Sequence, residues 1–103
     1  MRLDDHLELL ITENGYDEDM NPTELTTTID IGKCKILPNT AASRVRGNDG
    51  NEYIYAYEIF VRNPARIIVE GDKVRFIKKD ETIDKTMTVR GFVTLKKWEK
   101  IWV

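Results

Sequence analysis

Residues Tyr53–Arg62 read YIYAYEIFVR, ten positions with three tyrosines, two isoleucines, a phenylalanine and a valine, and no glycine or proline. Aromatic and β-branched side chains pack well on a pleated backbone, so the stretch predicts a β-strand. Tyr53, Tyr55, Tyr57, Ile59 and Val61 share one alternating phase, and Ile54, Ala56 and Phe60 share the other. Apolar residues in both phases predict a strand covered on both faces, hence a central one. The rest of the chain reads as strands arranged around it.

Upstream, Glu24–Leu37 (ELTTTIDIGKCKIL) carries Leu25, Thr27, Ile29 and Ile31 in one phase. After Gly32 the apolar phase switches to Cys34 and Ile36, the pattern of a β-bulge or bend, and Pro38 ends the strand for lack of an amide hydrogen. Earlier still, His6–Thr12 alternates Leu7, Leu9 and Ile11 and predicts a strand. Glu13–Thr23 (ENGYDEDMNPT) between them predicts a loop, from Asn14-Gly15 and Asn21-Pro22. Its Asp17-Glu18-Asp19 cluster lacks the alternating ligands, central glycine and distal glutamate of an EF-hand, so a solvated acidic loop is expected.

Between Pro38 and Tyr53, residues 39–52 (NTAASRVRGNDGNE) are long for a connection, and Gly47–Gly50 is a dense turn signal. A protruding loop or extended hairpin arm is expected there. Downstream, Asn63-Pro64 and Gly71-Asp72 are turns, with a short strand or crossing segment at Ala65–Glu70 between them. Lys73–Lys79 is a strand, and Lys85–Val93 is another with a bend at Gly91. The tail reads as a strand over Lys100–Val103, with Trp98 and Trp102 capping the core. About six strands and no long helical run predict an all-β domain, a small mostly antiparallel barrel or sandwich spanning residues 1–103.

At 103 residues with 41% hydrophobic content, one core is sustainable without disulfides, and the lone Cys34 fits a reducing compartment. No apolar run approaches the ~20 residues of a transmembrane helix and no signal sequence opens the chain, so a cytoplasmic location with no membrane contact is expected. The net charge of -2 argues against a dedicated nucleic-acid binder. The charge is also unevenly placed. Asp4, Asp5 and Glu8 belong to a run of eight acids in residues 1–24 against Arg2 alone, whereas Lys96, Lys97 and Lys100 sit in a basic C-terminal stretch. Two solvated faces of a monomer explain this most simply; opposite-signed edges meeting in a head-to-tail assembly explain it more specifically.

The chemical inventory is short. His6, Ser43 and Cys34 are single copies, so a nucleophilic triad would have to unite these three, and a Cys/His zinc site lacks ligands. The available paired carboxylates fall on loops, where burial would not raise their pKa. No catalytic residue, metal, cofactor or small-molecule substrate is expected. A nucleic-acid-binding β-barrel is the alternative, with Tyr53, Tyr55 and Tyr57 as a stacking platform flanked by Lys33, Lys35, Arg62, Arg75, Lys78 and Lys79.

The order KCKILP (Lys33–Pro38), long loop, Tyr53–Arg62 closing in VRNP, VEGDKV (Val69–Val74) and KIWV (Lys100–Val103) resembles the small head–tail connector proteins of tailed bacteriophages, the head-closure, stopper or adaptor proteins. The resemblance spans roughly residues 25–103. It implies a non-enzymatic structural protein, a β-barrel or sandwich that forms a ring with copies of itself between portal or adaptor and tail proteins, ending in the virion. It also implies that the loop 39–52 faces the channel, with Arg44, Arg46, Asn48 and Asp49 as binding residues and non-specific contact with packaged DNA. Asp4, Asp5, Glu8, Lys96, Lys97 and Lys100 would then be subunit contacts. The acidic segment 1–23 departs from the pattern.

Overall fold

A computed structural model describes residues 2–46 and 50–103, and every regular element among them is a strand. These are β1 (Asp5–Tyr16), β2 (Pro22–Pro38), β3 (Arg44–Arg46), β4 (Glu52–Ile54), β5 (Tyr57–Arg62), β6 (Lys73–Ile77), β7 (Asp84–Thr88), β8 (Gly91–Leu95) and β9 (Trp98–Trp102). The all-β class is as expected, with nine strands where about six were read. Seven form one antiparallel sheet in the order β7-β6-β1-β2-β5-β9-β8, and β3 and β4 pair separately.

The aromatic stretch is interior to the sheet, between β2 and β9, but it is not one strand. At Tyr55–Ala56 the backbone leaves the ladder: the Ala56 N–H donates to Val103 O and the Ala56 carbonyl accepts from the Asn39 N–H. The break separates β4 from β5 and changes which way the tyrosines point. Lys85–Val93 is likewise divided. Val89 and Arg90 form a corner, so β7 and β8 lie at opposite edges of the sheet although two residues join them. Ala65–Glu70 forms no strand, though Ile68 within it is fully buried.

The sheet is rolled. Tyr57 on β5 packs its ring 5.2 Å from that of Phe76 on β6, although β1 and β2 stand between those strands. Inside the roll lie Leu7, Leu9, Cys34, Ile36, Ile59, Val61, Val74, Phe76 and Ile101, with Ile31, Ile68, Val89 and Val103 completing the core. Each large side chain so enclosed contributes about 1.5–3 kcal/mol of transfer free energy. No ladder joins β7 to β8, so the roll stays open and the sheet does not close into a barrel.

Gly32 sits at the expected irregularity. Leu7 pairs with Gly32 but Glu8 with Asp30, so Ile31 is the extra residue on β2, and Gly32 has φ of 126°. That angle favours glycine, and the inserted residue moves the inward phase from Ile29 and Ile31 to Cys34 and Ile36.

Asp5, read from sequence as a subunit contact, is instead 4% exposed inside the domain. Its Oδ2 accepts the Ile36 N–H at 2.9 Å and its Oδ1 accepts the Lys79 N–H at 3.0 Å. These two amides lack strand partners of their own at the mouth of the roll, so a carboxylate satisfies both.

Candidate functional site

Two surfaces stand out once the core is assigned. The first is a hairpin arm. β6 pairs with β1 only as far as Leu10, and β5 pairs with β2 only from Cys34 onward, yet β1 and β2 continue pairing to Tyr16 and Pro22. Six residues past Leu10 at about 3.3 Å each make a projection of about 20 Å. Residues 12–28 are all exposed. Thr12, Thr23, Thr26, Thr27 and Thr28 hold the extended backbone by propensity, and the Thr12 and Thr26 hydroxyls face each other at 3.5 Å. The tip is an Asx-type turn in which Asp17 Oδ1 accepts the Asp19 and Asn21 N–H groups and Met20 takes φ of 63°.

This corrects the reading of Glu13–Thr23 as a loop: only the segment around Asp17–Asn21 turns, and Glu13–Tyr16 is strand. It also places a projection outside residues 39–52. There, β3 and β4 form a short hairpin whose Val45 packs onto β8 and β9; a Cβ built on Gly91 would lie 2.8 Å from Val45 Cγ2 and 3.2 Å from Trp102 Cε3. The Arg90 guanidinium lies over Tyr53 at 4.9 Å, and Asn39 bonds Ser43 and the Tyr55 carbonyl. Arg44 and Arg46 are exposed and reach Glu52 at 3.7 and 3.9 Å. Asn48 and Asp49 lie outside the described residues.

The second surface is the outer face of β2, β5, β9 and β8. Cross-strand registers put Lys35 with Phe60, Phe60 with Lys100, and Arg62 with Trp98; Lys100 with Val93 and Trp98 with Leu95 extend the face to the edge. Trp98 and Trp102 therefore point outward, against the expectation that they cap the core; Glu99, Ile101 and Val103 are the inward residues of the tail. Cations cover the rings, with Arg62 5.4 Å from Trp98 and Lys100 4.8 Å from Trp102 and 5.4 Å from Phe60. Glu58 is the one acid among them. It accepts from Lys100 Nζ at 3.0 Å, Trp102 Nε1 at 3.1 Å and the Tyr55 hydroxyl at 3.3 Å. Partial burial pushes its carboxyl up, but the Lys100 and Trp102 hydrogen bonds, the Lys100 charge and the Tyr55 hydroxyl outweigh this and hold it below the usual carboxylate range.

The tyrosine platform does not form. Tyr57 points into the roll against Phe76, Tyr55 lies on the outer side against Trp102 and Glu58, and Tyr53 lies under Arg90. The break at Tyr55–Ala56 is the reason. Of the expected contacts, Asp4 is exposed and paired with Arg2, while Glu8 is half-buried beside His6 and Arg75. Lys96 and Lys97 are exposed in the β8–β9 turn, and Lys100 belongs to the outer face.

His6 and Cys34 stand on facing strands but opposite sides of the sheet. His6 reaches Glu8 and Asp30 at 3.5 and 3.4 Å on the outside, whereas Cys34 is 0% exposed. Ser43 is exposed in the loop before β3. Burial first, and the Asp5 charge second, push the Cys34 thiol up to about 12. A thiolate is therefore absent near neutral pH. Modification of the native protein by a thiol-specific disulfide reagent is expected to run at least roughly 10³-fold slower than that of the denatured chain, because reaction waits on unfolding. Rapid native modification would contradict the inward placement.

One acid, on a strand, has its pKa raised by burial. Glu99 on β9 is fully buried; Oε1 accepts the Ile68 N–H at 2.9 Å, tying the 63–72 connection to the sheet, and Oε2 has no hydrogen-bond partner among the described residues. Burial raises its pKa, the Ile68 amide opposes this, the Asp72 charge adds to it and the Thr94 hydroxyl opposes it, leaving the value above the ordinary one. The folded state thus keeps this proton longer than the unfolded chain. Its stabilisation is present below the unfolded carboxylate value and lost as pH rises through the folded one. Glu99→Gln removes that loss, so the variant's Tm should gain on the wild type as pH rises above the ordinary carboxylate value. A difference that is flat with pH would show an ordinary carboxyl.

Among the described residues no group of His, Cys, Asp or Glu is arranged to hold a metal ion, and no helix is long and apolar enough to cross a membrane. Comparison with known proteins gives no matching family model, no matching curated protein and no matching solved structure.

Proposed function

We propose that this chain is a non-enzymatic assembly subunit of the kind its sequence resembles, a head–tail connector of a tailed bacteriophage that works by shape and docking. The observation that carries the reading is the arm: paired backbone, exposed on both faces over residues 12–28, that adds nothing to its own core. Extended backbone with no enclosed face is maintained at an entropic cost, and a partner that covers it supplies the offsetting burial. Tyr16, Met20 and Leu25 on the arm are 71%, 73% and 65% exposed, which suits an anchor seated only in an assembly. On this reading the subunit meets copies of itself and the portal and tail proteins, and Arg44 and Arg46 lie on the short β3–β4 hairpin beside the channel.

In the genome that encodes the chain, in-frame deletion of its gene should leave heads and tails unjoined by electron microscopy, with a plasmid copy restoring joined particles. A copy in which residues 14–24 are replaced by Asn-Gly, a two-residue turn between the paired Glu13 and Leu25, should fold but not restore them. Normal yields of joined particles without the gene would refute the proposal.

A second reading, single-stranded nucleic-acid binding, is favoured by the outer face, where Phe60, Trp98 and Trp102 alternate with cations as in stacking grooves. It is the weaker reading because the net charge of -2 works against phosphate attraction.

A further inference from the structure

We infer that the arm of one copy docks across the outer face of β2, β5, β9 and β8 of a second copy; this deepens the assembly reading and rests on it. The two surfaces are complementary in charge. Residues 12–28 hold five acids, Glu13, Asp17, Glu18, Asp19 and Glu24, and no cation; all sixteen lysines and arginines lie outside the arm, against thirteen acids. The outer face carries Lys33, Lys35, Arg62 and Lys100 against Asp30 and Glu58.

The surfaces also match in apolar content. The arm presents the exposed Tyr16, Met20 and Leu25, and the face offers half-buried Phe60, Trp98 and Trp102, with Val93 and Leu95 at 41% and 57% exposure on the edge strand. An arm cannot reach its own face. β2 runs unbroken from Pro22 to Pro38, so the arm continues the sheet outward and would have to reverse direction to cover it. Docking is therefore between copies, and because two different patches meet, the contact is heterologous and propagates into a ring or filament. Charge pairing steers the encounter, and burial of the aromatic anchors holds it.

Charge reversal on each side tests this with the full chain. An arm variant carries Glu18→Lys, Asp19→Lys and Glu24→Lys; a face variant carries Lys33→Glu, Lys35→Glu and Arg62→Glu. Asp17 is spared because it builds the turn. By sedimentation velocity the wild type should gain mass with concentration, and each variant should remain monomeric. An equimolar mixture should regain the wild-type mass, which also shows that both variants are folded. Both tryptophans lie on the face, so fluorescence should shift with association in the wild type and the mixture but not in either variant alone.

Variants that associate like the wild type, or a mixture that stays monomeric, would overturn the contact. A wild type that is monomeric at every concentration would overturn it too, while leaving the assembly reading to the gene deletion, where the arm can seat on another protein. If face reversal abolished binding of fluorescein-labelled oligo-dT and left the mass unchanged, the face would be a nucleic-acid surface and the docking contact would be refuted.

Discussion

Asp5→Ala is expected to lower the unfolding free energy by about 3–5 kcal/mol, since each buried amide left without an acceptor costs about 1–3 kcal/mol. Two amides are at stake, Ile36 on β2 and Lys79 in the turn after β6, and the carboxylate that serves them is 4% exposed. The bonds span 31 and 74 residues of chain, so their loss frees the mouth of the roll on both sides at once. Asp5→Asn keeps one acceptor and turns an amide donor toward the other N–H, so its cost should be intermediate, about 1.5–3 kcal/mol. Urea denaturation measures both, with an unchanged slope confirming that only stability moved. A loss below about 1 kcal/mol for Asp5→Ala would mean water replaces the carboxylate freely.

Phe76→Ala should cost a comparable amount, about 3–5 kcal/mol, as a fully enclosed aromatic. The sharper measurement is its coupling to Tyr57. In a flat sheet β6 and β5 stand three strand spacings apart, about 14 Å, beyond contact. The rings are 5.2 Å apart, tilted by 58°, only because the sheet rolls. A double-mutant cycle between Tyr57→Ala and Phe76→Ala should therefore return about 0.5–1.5 kcal/mol. Additive effects would mean that the two faces do not meet.

The core and the projecting arm of this molecule use the same two strands differently. Near the core, β1 and β2 bury Leu7, Leu9, Cys34 and Ile36; beyond Ile11 and Ile29 the same hairpin buries nothing. Substitutions in the arm therefore leave untouched the packing that keeps the fold. Residues 12–28 carry five acids and no cation, so like charge holds two such arms apart in solution.

Where a strand has one enclosed face, its pattern was legible in the residues alone. Ile59 and Val61 marked β5, Val74 and Phe76 marked β6, and the phase change at Gly32 marked the bulge, because burial selects apolar side chains at every second position. The distal arm gave no such signal, since a strand solvated on both sides has no reason to alternate, and Asn14-Gly15 imitated a turn. The outward direction of Trp98 and Trp102 was hidden for a related reason: alternation says that Trp98, Lys100 and Trp102 share a face, but not which face the roll encloses. Nothing in the residues themselves sets Asp5 and Glu99 apart from other acids, and only the tertiary structure brought the Ile36, Lys79 and Ile68 amides to them. The residues by themselves thus determined strand character and the bulge; the rolling of the sheet decided what is inside, what projects, and which charges face one another, because those follow from contacts between segments far apart in the chain.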